Sequence, residues 1–360
     1  MSSVKSLSIS GYKSIRELRN FELRNLNVLI GANGAGKSNF INLFRMLAEM
    51  YEQGLQLYVQ TQGGPDALLH FGRNTTENLH AEFYFANNGY KFDLVPTADN
   101  RLVFEREVSW FGGVYFNSSP SALLGSGHEE SKLKAATDKY SPYVRGSISN
   151  WRVYHFHDTG ERAKVKQRHL ANDNLRLKTD AANLAAYLRR LNQEFPAYYQ
   201  RIEDAIKLVA PYFGDFVQRP GELEFVELEW RQRGNPDTPL KANMLSDGTL
   251  RFICLATLLL QPEELLPETI LIDEPELGLH PYAISVLADI FRQVSERRQL
   301  IVSTQSVELV NELTPEDIIV VDQADDASTF SRYSNEELAG WLDEYSLGEI
   351  WKRNILGGRP

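Results

Sequence analysis

The chain has 360 residues, which is enough for one large domain or two modest ones with a substantial core. Hydrophobic residues at 42% and charged residues at 24% are typical of a folded soluble chain, and the net charge of −10 argues against a surface covered overall by nucleic acid. The single cysteine, Cys254, excludes an internal disulfide and a four-cysteine zinc site. The longest apolar run, residues 252–260, is too short to cross a bilayer, so we expect a cytoplasmic protein.

The first half of the chain has the hydrophobic pattern of strands around one glycine-rich loop and helix. Apolar and polar residues alternate over Val4–Ile9, as in a half-buried strand, whereas Leu26–Ile30 is apolar apart from Asn27, as in a buried one. Asn87-Asn88-Gly89 is a typical hairpin turn. The predicted elements are strands within residues 4–9, 26–30, 80–85, 90–94 and 151–156, a helix after residue 38, and an insertion with at most one helix at 112–150.

The second half alternates helical and strand patterns. Such alternation indicates a parallel sheet with helices on its faces, because parallel strands need long crossover connections. The predicted elements are helical segments within residues 180–210, a strand at 222–231, a helix at 250–260, a strand at 269–273, a helix at 281–296, and strands at 299–303 and 317–321.

A glycine-rich loop lies between the apolar strand and the first helix. Residues 31–38, Gly-Ala-Asn-Gly-Ala-Gly-Lys-Ser, match the pattern G-x-x-x-x-G-K-[ST] in the strand-then-helix context that it requires. Backbone N–H groups and the helix N-terminus would hold phosphates, Lys37 would reach the β- and γ-phosphates, and the Ser38 hydroxyl would bind Mg²⁺. The predicted nucleotide-binding residues here are Gly31, Asn33, Gly34, Ala35, Gly36, Lys37, Ser38 and Asn39.

Two carboxylates end the apolar strand at residues 269–273. In open α/β sheets such a strand end lies beside the phosphate loop, where ligands bind. We therefore expect Asp273 to hold the magnesium together with Ser38, and Glu274 to orient the attacking water or accept its proton. The alternative is that Asp273 and Glu274 only form a turn that ends the strand. The presence of the phosphate loop makes this alternative less favoured.

Charge is unevenly distributed along the chain. Residues 142–178 carry eight Lys/Arg against three Asp/Glu, and residues 263–349 carry four Arg against twenty acids. The simpler interpretation of both charged segments is that they form solvent-exposed faces of the protein. The functional alternative is that a polyanion such as nucleic acid binds the middle segment. The residues that would line its groove are Arg162, Lys164, Lys166 and Arg168.

A third motif indicates which class of phosphate-loop protein this is. Residues 245–249, Leu-Ser-Asp-Gly-Thr, precede a helix and lie 27 residues before Asp273, counted from Ser246. This order of motifs resembles the ATP-binding-cassette (ABC) ATPases, whose signature is Leu-Ser-Gly-Gly-Gln. The resemblance implies that Ser246 and Gly248 contact the γ-phosphate of ATP held by a second copy, so that two ATP molecules lie between two heads. Asp247 departs from the signature, which has glycine there.

Other details point away from transporters within that superfamily. The segment Glu276–Pro281 and the segment 303–306, Ser-Thr-Gln-Ser, look like the bacterial predicted-ATPase group related to RecF, SMC and OLD heads. Residues 10–15 and 151–156 are also similar to that group. Gln305 takes the place of the switch histidine of ABC ATPases. The resemblance implies that Gln305 donates a hydrogen bond to the γ-phosphate or to water. Because glutamine carries no charge, it also implies slow hydrolysis. By chain order, His157 and Asp158 occupy the coupling-loop position.

Some residues have two interpretations. Tyr12 could stack on adenine or pack in the core. His155 and His157 are spaced as metal ligands can be, but no further Cys/His cluster in the sequence supports zinc.

We therefore expect an α/β phosphate-loop NTPase of the ABC-head type, with a parallel core sheet, an antiparallel β layer and a short helical lobe that carries the signature. Residues 1–110 and 236–333 would form the nucleotide-binding lobe, 111–235 the inserted and helical lobe, and 334–360 a helical tail. The expected activity is hydrolysis of ATP with Mg²⁺ in a homodimer, acting in DNA maintenance or anti-phage defence with nucleic acid or a separate effector protein. A protein-interaction switch that never binds nucleic acid is the alternative, and a transporter subunit fits the motifs least.

Overall fold

The computed structural model describes residues 3–112, 120–149, 151–221 and 223–359. Its first elements follow the predicted order of three strands, a loop and a helix, with an antiparallel group after them. They are β1 (Ser6–Tyr12), β2 (Ile15–Glu22), β3 (Leu26–Ile30), α1 (Lys37–Tyr51), α2 (Leu55–Thr61), α3 (Pro65–Leu68), β4 (Leu79–Phe85), β5 (Asn88–Pro96), β6 (Leu102–Phe111), β7 (Ser121–Gly125) and α4 (Ser141–Ile148).

The remaining elements form the helical region, the rest of the parallel sheet and a helical tail. They are β8 (Arg152–Tyr154), β9 (His169–Leu170), α5 (Leu184–Glu194), α6 (Pro196–Val209), β10 (Phe213–Phe216), β11 (Phe225–Val226), β12 (Glu229–Gln232), β13 (Asn235–Lys241), α7 (Asp247–Leu260), β14 (Thr269–Asp273), α8 (Pro281–Ser295), β15 (Gln299–Ser303), α9 (Val307–Asn311), β16 (Ile318–Ala324), β17 (Ala327–Ser331), α10 (Asn335–Leu342) and α11 (Leu347–Lys352).

A six-stranded sheet in the order β17-β16-β3-β15-β14-β8 forms the centre of the molecule. All its neighbouring strands are parallel except β17, which returns antiparallel from β16. Side chains of β3 alternate between two buried clusters, with Val28 on one face and Leu29 on the other. Because both faces are covered, β3 and β15 are buried along their whole length, and this explains their apolar sequences.

An antiparallel sheet in the order β2-β1-β4-β5-β6-β7 lies on the side of α1. Its strand β4 alternates buried and half-buried residues, as a sheet with one core-facing side does. Trp151 joins the two sheets, because its buried ring lies 5.0 Å from the ring of Phe44 in α1 and 5.8 Å from that of Phe83 in β4, between centroids. Helices α5 to α8 contribute to the cluster on the opposite face of the parallel sheet.

Two predicted elements differ in the structure. The β4–β5 hairpin turns at Ala86-Asn87, with Ala86 at φ 60°, while Asn88 and Gly89 already belong to β5. Glycine is needed at position 89 for packing and not for the turn, since a Cβ there would lie 1.9 Å from the Trp110 ring. The strand predicted at 222–231 is two short strands in different sheets, β11 beside β9 and β12 between β10 and β13; Glu222 lies outside the described residues.

The predicted insertion also contributes to the sheet. Strand β7, within residues 112–150, adds to the edge of the antiparallel sheet, and α4 is its one α-helix; residues 113–119 and 150 lie outside the described ranges. The lobe boundaries at residues 111 and 236 stay a prediction. Strand pairing does not follow them, because β8 pairs with β14 in the parallel sheet and β13 pairs with β12.

Candidate nucleotide site

The phosphate loop connects the buried end of β3 to the start of α1. Gly36 has a φ of 117°, and a Cβ there would lie 2.1 Å from the Ser328 Oγ. Only glycine fits at that position, both for backbone conformation and for space. The Oγ of Ser328 in turn donates a hydrogen bond of 2.5 Å to the Ala35 carbonyl oxygen. The loop is therefore held in a curved shape by the neighbouring hairpin of β16 and β17.

Further contacts connect the loop and the start of α1 with strand β16 and with the β1–β2 turn, neither of which belongs to the sequence motif. Gln323 Nε2 donates to the Gly34 carbonyl oxygen at 3.2 Å. The side-chain amide of Asn39 donates to Ser14 Oγ at 2.8 Å, in the turn between β1 and β2. This contact engages the side-chain amide of Asn39.

Lys37 is buried in the loop, with a side chain that folds back over it. The residue is 5% exposed, and its Nζ donates to the carbonyl oxygens of Gly31 at 2.6 Å and Ala32 at 3.0 Å. Burial lowers the pKa of Lys37, and nearby carboxylates oppose that shift. These carboxylates belong to Glu274, Asp273 and Glu276. Because β3 and β14 both pair in parallel with β15, the loop lysine and the strand-end acids lie at the same edge of the sheet.

The two strand-end carboxylates are held by the neighbouring strand β15. Ser303 Oγ donates to Asp273 Oδ1, and the Glu274 N–H donates to the Ser303 carbonyl oxygen at 2.9 Å. Glu274 has a φ of 44°, a left-handed conformation that costs about 1 kcal/mol or more in a residue with a side chain. Gln305 Nε2 donates to Glu274 Oε1. Gln305 thus contacts the predicted catalytic carboxylate directly.

Glu276 is a residue of this site to which the sequence patterns assigned no role. It is 7% exposed, and its Oε1 accepts hydrogen bonds from Thr304 Oγ1 at 2.6 Å and from the Gln305 N–H at 3.1 Å. Its Oε2 is buried without a hydrogen-bond partner among the described residues. Burial raises the pKa of the Glu276 carboxyl. The sequence signal that could have identified Glu276 was its position two residues after Glu274, in the segment Glu276–Pro281. That segment was used only to establish the family resemblance.

A Glu276→Gln protein should be more thermally stable than the wild type at pH 8, by roughly 2 °C or more. The amide oxygen can accept the same two hydrogen bonds, and the burial cost of a carboxylate disappears. Because the folded-state pKa lies above the unfolded value near 4.5, the cost is fully present at high pH and vanishes as the pH falls towards 4.5. Melting curves between pH 5 and 8 measure the difference; a gap that widens towards pH 5 would contradict this account.

The loop after β8 contacts both the strand-end acids and the signature helix. His157 Nε2 donates to the Asp273 carbonyl oxygen at 2.9 Å. Arg251, in α7, donates from Nε to the Phe156 carbonyl oxygen at 2.9 Å and from Nη2 to that of His157 at 3.1 Å. Residues 156–157 thus connect the end of β14 to α7, in the place where chain order put the coupling loop.

Ser246 and Gly248 lie at the N-terminus of α7. Ser246 caps the helix, because its Oγ accepts from the Thr249 N–H at 3.2 Å. Gly248 allows close approach to the segment after β14, since a Cβ there would lie 2.2 Å from the Gly278 carbonyl oxygen. Among the described residues, Ser246 makes its side-chain hydrogen bonds to Thr249 and none to the phosphate loop of its own chain.

The four predicted nucleic-acid residues have different surroundings in the structure. Arg162 is exposed; Lys164 Nζ lies 3.2 Å from Asp180 Oδ2; the Arg168 guanidinium lies 5.5 Å from the Phe225 ring centroid. Lys166 differs from the other three in that only 8% of its side chain is exposed, and the groove itself stays a prediction. The reason is local: residues 164–166 form a 3-10 turn, and alternate residues share a face only in a strand.

Burial and contacts also bear on the remaining interpretations of the sequence. Tyr12 is fully buried in the core, which excludes stacking on adenine in this conformation. Within the described ranges, no group of three or more His, Cys, Asp or Glu side chains could hold a metal ion. In that same part of the chain, every helix is too short or too polar to cross a bilayer.

The chain is similar in sequence to known proteins. Residues 26–311 match the family described as "AAA domain, putative AbiEii toxin, Type IV TA system". Urease accessory protein 2 of Cryptococcus neoformans var. grubii is 25% identical over 259 residues, which cover 68% of this chain and 20% of that protein. The chain thus spans about a fifth of the length of that curated relative.

Solved structures show the same fold at low sequence identity. An SMC head bound to the C-winged helix domain of ScpA matches with a TM-score of 0.61 and 15% identity, over 93% of this chain and 99% of that one. An SMC head with an extended coiled coil, bound to the C-terminal domain of ScpA, from Pyrococcus furiosus, matches with a TM-score of 0.57 and 16% identity, over 96% and 99%. The predicted α/β fold of the ABC-head type is confirmed.

Proposed function

The chain belongs to the AAA-domain family named above and is an ATPase of the ABC/AAA type with the fold of an SMC head, and from this premise we propose that it hydrolyses ATP to ADP and phosphate with Mg²⁺. The observation that carries the proposal is that β3, which leads into the Lys37 loop, and β14, which ends in Asp273, both pair in parallel with β15 and so end at one edge of the sheet. That edge is where open α/β sheets bind their ligands.

Each residue of the site would have one task. Lys37 would turn from the carbonyl oxygens of its own loop to the β- and γ-phosphates. The hydroxyl of Ser38 and the carboxylate of Asp273 suit Mg²⁺, which prefers oxygen ligands, and bound Mg²⁺ would neutralise phosphate charge. Glu274 would orient the attacking water, and Gln305 would hold Glu274 in place.

Ser246 and Gly248 would complete the site of a second copy of the chain. Ser246 is exposed at the start of a 14-residue helix, where backbone N–H groups and the helix dipole favour a phosphate. Exposed apolar side chains nearby support a contact surface there: Met244 is 64%, Leu277 40% and Tyr282 53% exposed. A homodimer with two ATP molecules between its heads would cover them.

Phosphate release from ATP should require Mg²⁺ and fall to background when EDTA removes it. Asp273→Asn should release phosphate at least about a hundredfold more slowly, because one metal ligand loses its charge. Asp289→Asn is the matched control, since Asp289 lies on α8 and pairs with Arg292. A wild-type protein that releases no phosphate with Mg²⁺ present would contradict hydrolysis.

The biological role proposed for the cycle is DNA maintenance or anti-phage defence with a nucleic acid or a separately encoded effector. The family description, which names the AbiEii toxin and a type IV TA system, supports a defence role. A nucleotide-controlled protein switch without nucleic acid is the alternative. The Lys166 side chain is mostly buried and Lys164 pairs with Asp180, so both lysines are less available to a nucleic acid than their charges in the sequence suggest. This favours the protein switch.

Binding of duplex DNA distinguishes the two roles. If Arg162, Lys164 and Arg168 bind phosphates, reversing the three to Glu should remove binding, and wild-type binding should weaken steeply with salt. Filter binding at two salt concentrations, with ATP present, measures both effects, and basal ATP hydrolysis serves as the folding control. Absence of wild-type binding at low salt would favour the protein switch.

A further inference from the structure

The signature motif at residues 245–249, which would contact a phosphate, contains an acidic residue. Asp247 stands where the ABC signature has glycine, and its side chain is 64% exposed at the first position of α7. In the homodimer proposed above, on which this inference rests, that carboxylate would approach the γ-phosphate bound to the other head. Two negative charges at short distance repel each other, most strongly where the interface excludes water.

Lys166 is the cation placed to offset that charge. Its Nζ lies 3.4 Å from Asp247 Oδ1 and donates to the Thr159 carbonyl oxygen at 2.5 Å. The rest of the side chain is buried, since only 8% of it is exposed. Val165 is buried beside it, which anchors the turn that carries the lysine. The ammonium therefore has a fixed position against the signature, unlike that of a lysine on a free surface.

The same loop contacts the catalytic edge of its own chain. His157 donates to the Asp273 carbonyl oxygen, while Lys166, nine residues later, contacts Asp247. We propose that Lys166 is a positioning residue of the ATP-bound dimer: it neutralises Asp247 and holds it back, so that an acidic signature can close on the γ-phosphate of the partner's ATP. Lys166 acts through Asp247 and does not itself bind the phosphate.

The test compares variants in the Glu274→Gln background, in which ATP is expected to remain unhydrolysed. Lys166→Met keeps the length and apolar character of the side chain but removes its charge. With ATP and Mg²⁺, the dissociation constant of the dimer should rise at least about tenfold, because Asp247 is left unpaired beside the phosphate. Adding Asp247→Asn should restore dimerisation to within about threefold, since the repelling charge is gone.

Sedimentation velocity over a range of protein concentrations measures these dimer constants, and titration with ATP at concentrations that keep the heads monomeric measures nucleotide affinity. Affinity of the single head should be equal in all variants, because the phosphate loop is intact. Lys178→Met is the matched control, as Lys178 pairs with Asp173 elsewhere on the chain. It should dimerise like its parent.

Two outcomes would overturn the inference: an unchanged dimer constant in Lys166→Met, or a weakened one that Asp247→Asn does not restore. The second would show that Lys166 has another role, such as supporting the fold, which melting temperatures would also reveal. Failure of the Glu274→Gln parent itself to dimerise with ATP would contradict the proposed homodimer, and the inference would fall with it.

Discussion

The Glu274→Gln protein should bind ATP with Mg²⁺ at normal affinity and hydrolyse it at least about a hundredfold more slowly than the wild type. Glutamine has the same shape as glutamate and can still accept the hydrogen bond from Gln305, so the site should keep its geometry. It cannot accept a proton from water. Isothermal titration measures the affinity and phosphate release measures the rate.

Trapped ATP should then hold two heads together. Light scattering of Glu274→Gln should show twice the monomer mass with ATP and Mg²⁺ and the monomer mass without nucleotide. Adding Ser246→Arg should prevent association, because a bulky side chain would occupy the position that the γ-phosphate needs at the exposed start of α7. Arg201→Lys, a conservative change on α6, serves as the control.

One unchanged mass of Glu274→Gln in both conditions would contradict an ATP-driven dimer. Association that survives Ser246→Arg would instead show that the heads meet through another surface. Fast hydrolysis by Glu274→Gln would mean that a different group activates water. Glu276 would then be the carboxylate to examine, since it accepts a hydrogen bond from the same Gln305.

Lys37→Ala should weaken ATP binding by at least about a hundredfold. The lysine is the cation that the phosphate loop itself supplies, and charge-assisted hydrogen bonds to phosphate are among the strongest that a side chain makes. Its present partners, the Gly31 and Ala32 carbonyl oxygens, are backbone groups of the same loop and need no lysine to keep their positions.

Isothermal titration with ATP and Mg²⁺ measures this loss, with melting temperature as the check on folding. Lys241→Ala is the matched control, because Lys241 is exposed and pairs with Glu227. Near-normal affinity in Lys37→Ala, together with normal affinity in the control, would contradict the assignment of the phosphate loop.

The sequence alone was enough to predict the loop and the strand end that form the candidate site. The loop at residues 31–38 and the acids Asp273 and Glu274 each lie at the end of a short apolar strand, and short-range pattern decides both a buried strand and the turn or loop after it. The order of the main strands and helices from α7 to β16 was predictable for the same reason. The sequence thus determined the fold class and predicted which residues hold the nucleotide.

Tertiary structure alone decided which residues support or oppose that chemistry. Glu276 accepts a hydrogen bond from Gln305, Lys166 pairs with Asp247, and Gly89 packs closely against the Trp110 ring. The sequence around these residues gives no sign of the contacts. Lys166 was expected in a groove because its charge is visible in the sequence while its burial is not. The physical reason is that burial and pairing depend on distant segments, here 81 positions apart for Lys166 and Asp247, and long-range packing has no local pattern.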